Sequence, residues 1–130
     1  MAESNPIVSE WIEKAEADWA LVGLAASSGN PKLRDGVVYH AQQCIEKLLK
    51  ARLLQLGQSF RKIHDLSSLS RQLQLSDSSW QWDAEELDDL TDAGVLSRYP
   101  GFDTTQEEVV LLVEIASRLR AALLSCLTPP

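Results

Sequence analysis

A chain of 130 residues, 45% hydrophobic and 24% charged, has room for one domain, spanning 1–130, around a single packed core. That balance excludes a disordered chain and a disulfide-stapled miniature. The formal net charge of −7 gives no reason to expect DNA as a ligand, and no apolar stretch approaches the roughly 20 residues of a membrane-spanning helix, so no membrane partner is expected.

The start, MAESNPIVSEW, has no positively charged segment ahead of an apolar run, so it does not read as a secretory signal and a cytoplasmic location is expected. Over residues 9–26 the apolar positions Trp11, Ile12, Ala15, Trp19, Val22 and Ala26 recur at three- and four-residue steps, with Glu10, Glu13, Lys14, Glu16 and Asp18 between them. This is the pattern of an amphipathic helix. Ser27-Ser28-Gly29-Asn30-Pro31 sets helix-breaking residues in a row and predicts a turn.

A second helix is predicted from about residues 33–35 to Leu56, where Gly57 is placed to take the left-handed conformation of a C-terminal cap. One side carries Val37, Val38, Ala41, Ile45, Leu48, Leu49 and Leu56, with Cys44 beside it. His40, Gln43, Lys47 and Lys50 follow a three-four-three spacing that gathers them into one stripe on the opposite side.

Residues 58–64 form a basic connection, after which Asp65 can cap a short third helix that ends near Leu75, with Leu66, Leu69 and Leu73 inward. Ser76-Asp77-Ser78-Ser79 reads as a turn, and Asp83 with Glu86 makes a capping-box-like start for an acidic fourth helix reaching residues 96–97. Arg98-Tyr99-Pro100-Gly101 turns the chain again, and Thr105 with Glu108 repeats the capping-box spacing. The last helix continues to the Thr-Pro-Pro terminus with Val109, Val110, Leu112, Val113, Ile115, Ala116, Leu119, Leu123 and Leu127 as its apolar positions. It is apolar enough to be a central helix. No strand-like alternation and no internal repeat interrupt the pattern, so the expected fold is all-α, an up-and-down antiparallel helical bundle of four to five helices.

Charge is unevenly placed. Between Lys32 and Arg71 stand eight basic residues (Lys32, Arg34, Lys47, Lys50, Arg52, Arg61, Lys62, Arg71) against Asp35, Glu46 and Asp65, a balance of +5. The remainder carries −12, and ten of its acids lie between Asp77 and Glu108. Such a chain can steer an anionic ligand or a partner to its basic part, or simply present two differently solvated surfaces. The cysteines, Cys44 and Cys126, sit far apart within apolar helical patterns, with no CxxC or Cys/His cluster to hold zinc. Burial is expected for them, and neither a metal nor a cofactor is expected.

Three elements stand in order along the chain: Tyr39-His40-Ala41-Gln42-Gln43-Cys44-Ile45-Glu46-Lys47-Leu48-Leu49-Lys50-Ala51 followed by Gly57; His64-Asp65-Leu66-Ser67-Ser68-Leu69; and Ser97-Arg98-Tyr99-Pro100. Together they resemble the signature of the HEPN family (higher eukaryotes and prokaryotes nucleotide-binding) over nearly the whole chain. The resemblance implies a helical bundle that commonly dimerises. It also implies one of three roles: a toxin that cuts RNA, a partner of a small nucleotidyltransferase acting as antitoxin, or a member without established chemistry. Ribonuclease members of the family are recognised by an Arg, often followed by a polar residue, then four to six positions and a His, usually near the start of the last helix. Here Arg98 leads into Tyr-Pro-Gly-Phe-Asp-Thr-Thr, and no histidine follows His64. The same spacing occurs at Arg34 and His40, on the second helix instead.

RNA cleavage without a metal needs a group near neutral pKa to move the 2′-hydroxyl proton and a cation to stabilise the developing phosphorane charge. His40 or His64 can supply the first, and Arg34, Lys47, Lys50, Arg61 or Arg98 the second. Catalytic candidates are therefore His40, His64 and Arg34, although His64 also suits a structural hydrogen bond at a helix start. His40, Gln43, Lys47, Lys50 and Arg98 are the candidates for binding phosphate or nucleotide. The alternative for the stripe is a solvated face in which Glu46 and Lys50 form an ordinary i,i+4 pair worth about 0.3–0.5 kcal/mol. Trp11 and Trp19 fit the inner face of the first helix, whereas Trp80 and Trp82, flanking Gln81 in a polar loop, mark an interface or cap the bundle.

The expected function is a nucleotide- or RNA-related interaction module, the partner of a nucleotidyltransferase in a toxin–antitoxin-like pair, with homodimerisation. The alternatives are a metal-independent ribonuclease with its site at a homodimer interface and a non-catalytic nucleotide-binding regulator.

Overall fold

The computed structural model describes residues 5–60 and 62–127; Arg61 and the Thr-Pro-Pro terminus lie outside the described residues. Among these are five α-helices and no strand: α1 (Pro6–Ser27), α2 (Arg34–Gln55), α3 (Leu66–Ser76), α4 (Ala84–Leu96) and α5 (Gln106–Leu127), with one turn of 3-10 helix, Pro31–Leu33, leading into α2. The chain is the all-helical bundle that the apolar periodicity predicts.

Local chemistry sets the helix ends. The first helix starts earlier than its apolar pattern suggests, because Asn5 accepts the Ile7 amide at 2.9 Å and Pro6 takes the first helical position, where its missing N–H is no loss. At the end of α2, Gly57 adopts φ 76°, Gln58 N–H donates to Leu53 O (2.8 Å) and Gly57 N–H to Leu54 O (3.0 Å). This pair of bonds closes the helix as a Schellman motif. Asp65 caps α3 by accepting from the Ser67 amide (3.1 Å). Thr105 and Glu108 form the full reciprocal box at α5, each accepting the other's amide at 3.1 and 3.0 Å. The box expected at α4 is only half made. Asp83 accepts the Glu85 amide (3.0 Å), but Glu86 turns to the Trp82 indole and to Arg118, where it gains a charged partner.

The helix at the centre is α2, with α5 packed along it. Every other helix packs on it, and Val37, Val38, Ala41, Ile45, Leu48, Leu49 and Leu53 fill the core with Ala15, Leu66, Leu69, Leu90, Leu119 and Leu123 around them. Each fully buried leucine or isoleucine contributes about 1.5–3 kcal/mol, so this cluster drives assembly. The N-terminal half of α5 instead leaves Val110 and Leu111 more than half exposed. Apolar content alone does not reveal the place of α2, because Gln42, Glu46 and Lys50 of that helix are satisfied inside the bundle.

Both loop tryptophans cap the bundle. Trp80 is buried and donates its indole N–H to Ser70 Oγ (2.9 Å), and Trp82 stacks on it with centroids 5.8 Å apart. Trp11 and Trp19 are only half buried, each lying under a cation, Lys50 and Arg120 respectively. Cys44 is fully buried and Cys126 half buried; both are free thiols.

Candidate functional site

Two buried carboxylates organise the polar residues of α2. On one side Asp18, which the α1 pattern placed among its solvated residues, is 7% exposed. It accepts from His40 Nδ1 at 2.8 Å and from Lys47 Nζ at 2.5 Å. The signal for its burial was present, since Asp18 continues the Ala15 to Val22 stripe at the same three- and four-residue steps.

On the other side Glu46, 4% exposed, accepts from Gln42 Nε2 (3.0 Å), Lys50 Nζ (2.9 Å) and His64 Nδ1 (2.9 Å). Burial opposes its ionisation, but those three hydrogen bonds and the Lys50 charge outweigh burial and hold the carboxyl below the usual glutamate value. Gln42 also donates to His64 O (3.2 Å) and accepts from Gln43 Nε2 (2.8 Å). The connection after α2 is thereby tied to the helix at His64, immediately before Asp65 caps α3.

The single polar stripe expected on α2 is thus divided. Lys50 is 6% exposed, with its ammonium 5.7 Å from the Trp11 ring centroid and 5.3 Å from that of Phe60. Its pair with Glu46 is an interior ion pair rather than a surface one, because a buried carboxylate requires a counter-ion at hydrogen-bond distance. His40, Gln43 and Lys47 remain half-exposed, forming the open part of the strip. Three cations of the basic segment are already paired with acids: Lys47 with Asp18, Lys50 with Glu46 and Arg52 with Asp77.

Arg98 joins the open strip from the other side. Its guanidinium lies 5.5 Å from the Tyr39 centroid, and the Tyr39 ring meets His40 edge to face at 5.2 Å. Contacts therefore run from Arg98 through Tyr39 and His40 to Asp18 and Lys47, with net positive charge. Arg34 is elsewhere. Six residues before His40, it points about 120° around the helix axis and lines a separate cleft with Val37 and Val110, so the Arg34 and His40 of one chain do not converge.

Each histidine has one fixed nitrogen. An ionised carboxylate only accepts, so Nδ1 of His40 and of His64 carries the proton in these bonds, and Nε2, unbonded among the described residues, is left as acceptor or base. The anchoring positions of the two rings on α2, residues 40 and 46, lie about one and two-thirds turns apart, an axial rise of about 9 Å. Among the described residues no group of three or more His, Cys, Asp or Glu side chains is placed to hold a metal ion. No described helix is long and apolar enough to cross a membrane.

The family model of the HEPN domain matches residues 8–126. The chain belongs to the HEPN family. No curated protein and no solved structure matches it. Membership makes this a nucleotide- or RNA-related helical module in general terms. Most of the HEPN signature here has a structural reason. Gln42, Glu46 and His64 lock the connection to α2, Asp65 caps α3, Gly57 ends α2, and Arg98 of the Arg-Tyr-Pro element stacks on Tyr39. The sequence pattern alone did not single out Asp18 or Tyr39 as parts of the site.

Proposed function

We propose that this HEPN domain is an interaction module for an anionic nucleotide or RNA phosphate, working beside a nucleotidyltransferase partner in a toxin–antitoxin-like pair, and that it acts as a homodimer. The observation that carries the reading is the continuous array of Arg98, Tyr39, His40 and Lys47 on the open strip of α2. Two cations suit a phosphate, which accepts charge-assisted hydrogen bonds from both, and the unbonded Nε2 of His40 is left to accept from a ligand hydroxyl. No Arg and His pair opens α5, so binding, rather than cleavage, is the primary reading.

The test is calorimetric titration of the purified chain with ATP and with a mixed-sequence RNA oligonucleotide at fixed salt, beside Lys47→Glu and Arg98→Glu. Binding that weakens about tenfold or more in both variants supports the reading; equal binding in all three proteins sinks it. Co-expression with a small nucleotidyltransferase, followed by co-purification, tests the partnership.

A ribonuclease with a composite site across a homodimer is the second reading, favoured by one observation: two imidazoles held at Nδ1 by buried carboxylates, as general bases are commonly held. Chelator-resistant cleavage of labelled RNA that is lost in a His40→Ala/His64→Ala variant would establish it.

A further inference from the structure

A second surface lies away from the α2 strip. Between the C-terminal end of α4 and the start of α5 runs a cleft of about 510 Å³. Leu96, Phe102 and Leu111 line it and are 40%, 49% and 52% exposed, so apolar area is left facing water on both sides of the groove. Asp89, Asp92, Asp103 and Glu108 also line it. No ion pair neutralises any of these four carboxylates among the described residues, although Glu108 accepts the Thr105 amide. No lysine, arginine or histidine lines the cleft.

Exposed apolar side chains between two helices, rimmed by unpaired charge of one sign, are complementary to an amphipathic segment of the opposite sign. We infer that this cleft docks a cationic amphipathic helix of a partner protein. Its apolar residues, spaced three and four apart, lie against Leu96, Phe102 and Leu111, and its lysines or arginines meet the four carboxylates. An anionic ligand is repelled here, so the surface is separate in chemistry from the α2 strip. A second copy seating its own acidic cleft against this one is opposed by the same charges.

The probe is a fluorescein-labelled amphipathic peptide of leucine and lysine, with binding read by anisotropy. Two peptides serve as controls, one with serine in place of leucine and one with glutamate in place of lysine. The wild-type chain binds the leucine–lysine peptide and neither control. Asp92→Lys/Asp103→Lys weakens binding about tenfold or more, whereas Glu10→Lys/Glu13→Lys, an equal change of charge on the exposed side of α1, weakens it less than about threefold. Leu111→Ser, at a half-exposed site that the fold does not depend on, also weakens binding about tenfold. The inference is overturned if the wild type does not bind, if the serine–lysine peptide binds equally well, or if both charge reversals act alike. It is also overturned if sedimentation shows self-association that Leu111→Ser abolishes, since the cleft is then filled by a second copy.

Discussion

Gly94 of α4 lies directly against the Gln42 side chain of α2: a Cβ built at residue 94 would stand 2.7 Å from both Cβ and Cγ of Gln42. The two helices approach this closely because one of them has no side chain at the crossing. Gly94→Ala is expected to destabilise the chain by about 1–3 kcal/mol from overpacking, against a gain in helix propensity of about 1 kcal/mol or less. The obstructing atoms are the root of the side chain rather than its flexible end. Combining it with Gln42→Ala removes the Cγ contact but leaves the Cβ at 2.7 Å, so the clash is relieved only in part. Urea denaturation of the two single variants and the double variant checks both statements.

The Glu46 and Lys50 pair makes a second prediction. Glu46→Gln leaves the Lys50 ammonium buried without its counter-ion, which costs about 3–5 kcal/mol at neutral pH. Lys50→Met fits between Trp11 and Phe60, and in the double variant much of that loss is recovered because no unpaired charge remains. A double-mutant cycle in urea measures the coupling.

The same carboxyl gives the pH dependence its sign. Its folded-state pKa lies below its ordinary value, so the unfolded chain binds more protons across that interval. The stability it contributes is complete above the ordinary glutamate pKa and is lost as pH falls through the folded value. Acid denaturation followed by circular dichroism is expected to show a shallower loss below about pH 4.5 in Glu46→Gln than in the wild type. Equal slopes would place the acid sensitivity on other carboxylates, with Asp77 and Glu86 the first to examine, since hydrogen bonds from Ser79 and Arg52, and from Arg118, hold those two low as well.

Asp18 is expected to act as a positioning residue for His40. In the wild type, nitrogen NMR should find neutral His40 protonated at Nδ1, the nitrogen 2.8 Å from Asp18. Asp18→Asn removes the acceptor-only partner and should abolish that preference while also freeing Lys47. If Asp18 merely fills space, the tautomer is unchanged in the variant.

Burial, reinforced by the nearby Glu16 charge, pushes the Cys44 thiol up to about 12. The thiolate is the reactive form, so iodoacetamide at pH 8 is expected to leave Cys44 unmodified in the folded chain and to label it once urea unfolds the protein. Peptide mass spectrometry reads this directly, and labelling of the native chain would show that the core around Cys44 opens.

Five helices, and most of their ends, were legible in the chain itself. The cap at Asp65, the box at Thr105 and Glu108 and the left-handed Gly57 depend on groups within a few residues of one another, and apolar steps of three and four report a helix face without reference to anything distant. The ordered HEPN elements were legible for the same reason: a motif is a local string.

What the sequence could not decide was which polar residues go inside and which helix they enter. Asp18 finds its partners 22 and 29 positions away, and Glu46 reaches His64 across 18. Those contacts exist only after α1 and the connection beyond α2 have packed on the central helix. Helical periodicity reads a charged residue as solvent-facing by default, because burying a charge is costly unless a partner arrives. Only the tertiary structure supplies the partner. It made Lys50 an interior cation, left His40 and Lys47 on an open strip beside Arg98, set α2 at the centre of the bundle and opened the acidic cleft between α4 and α5.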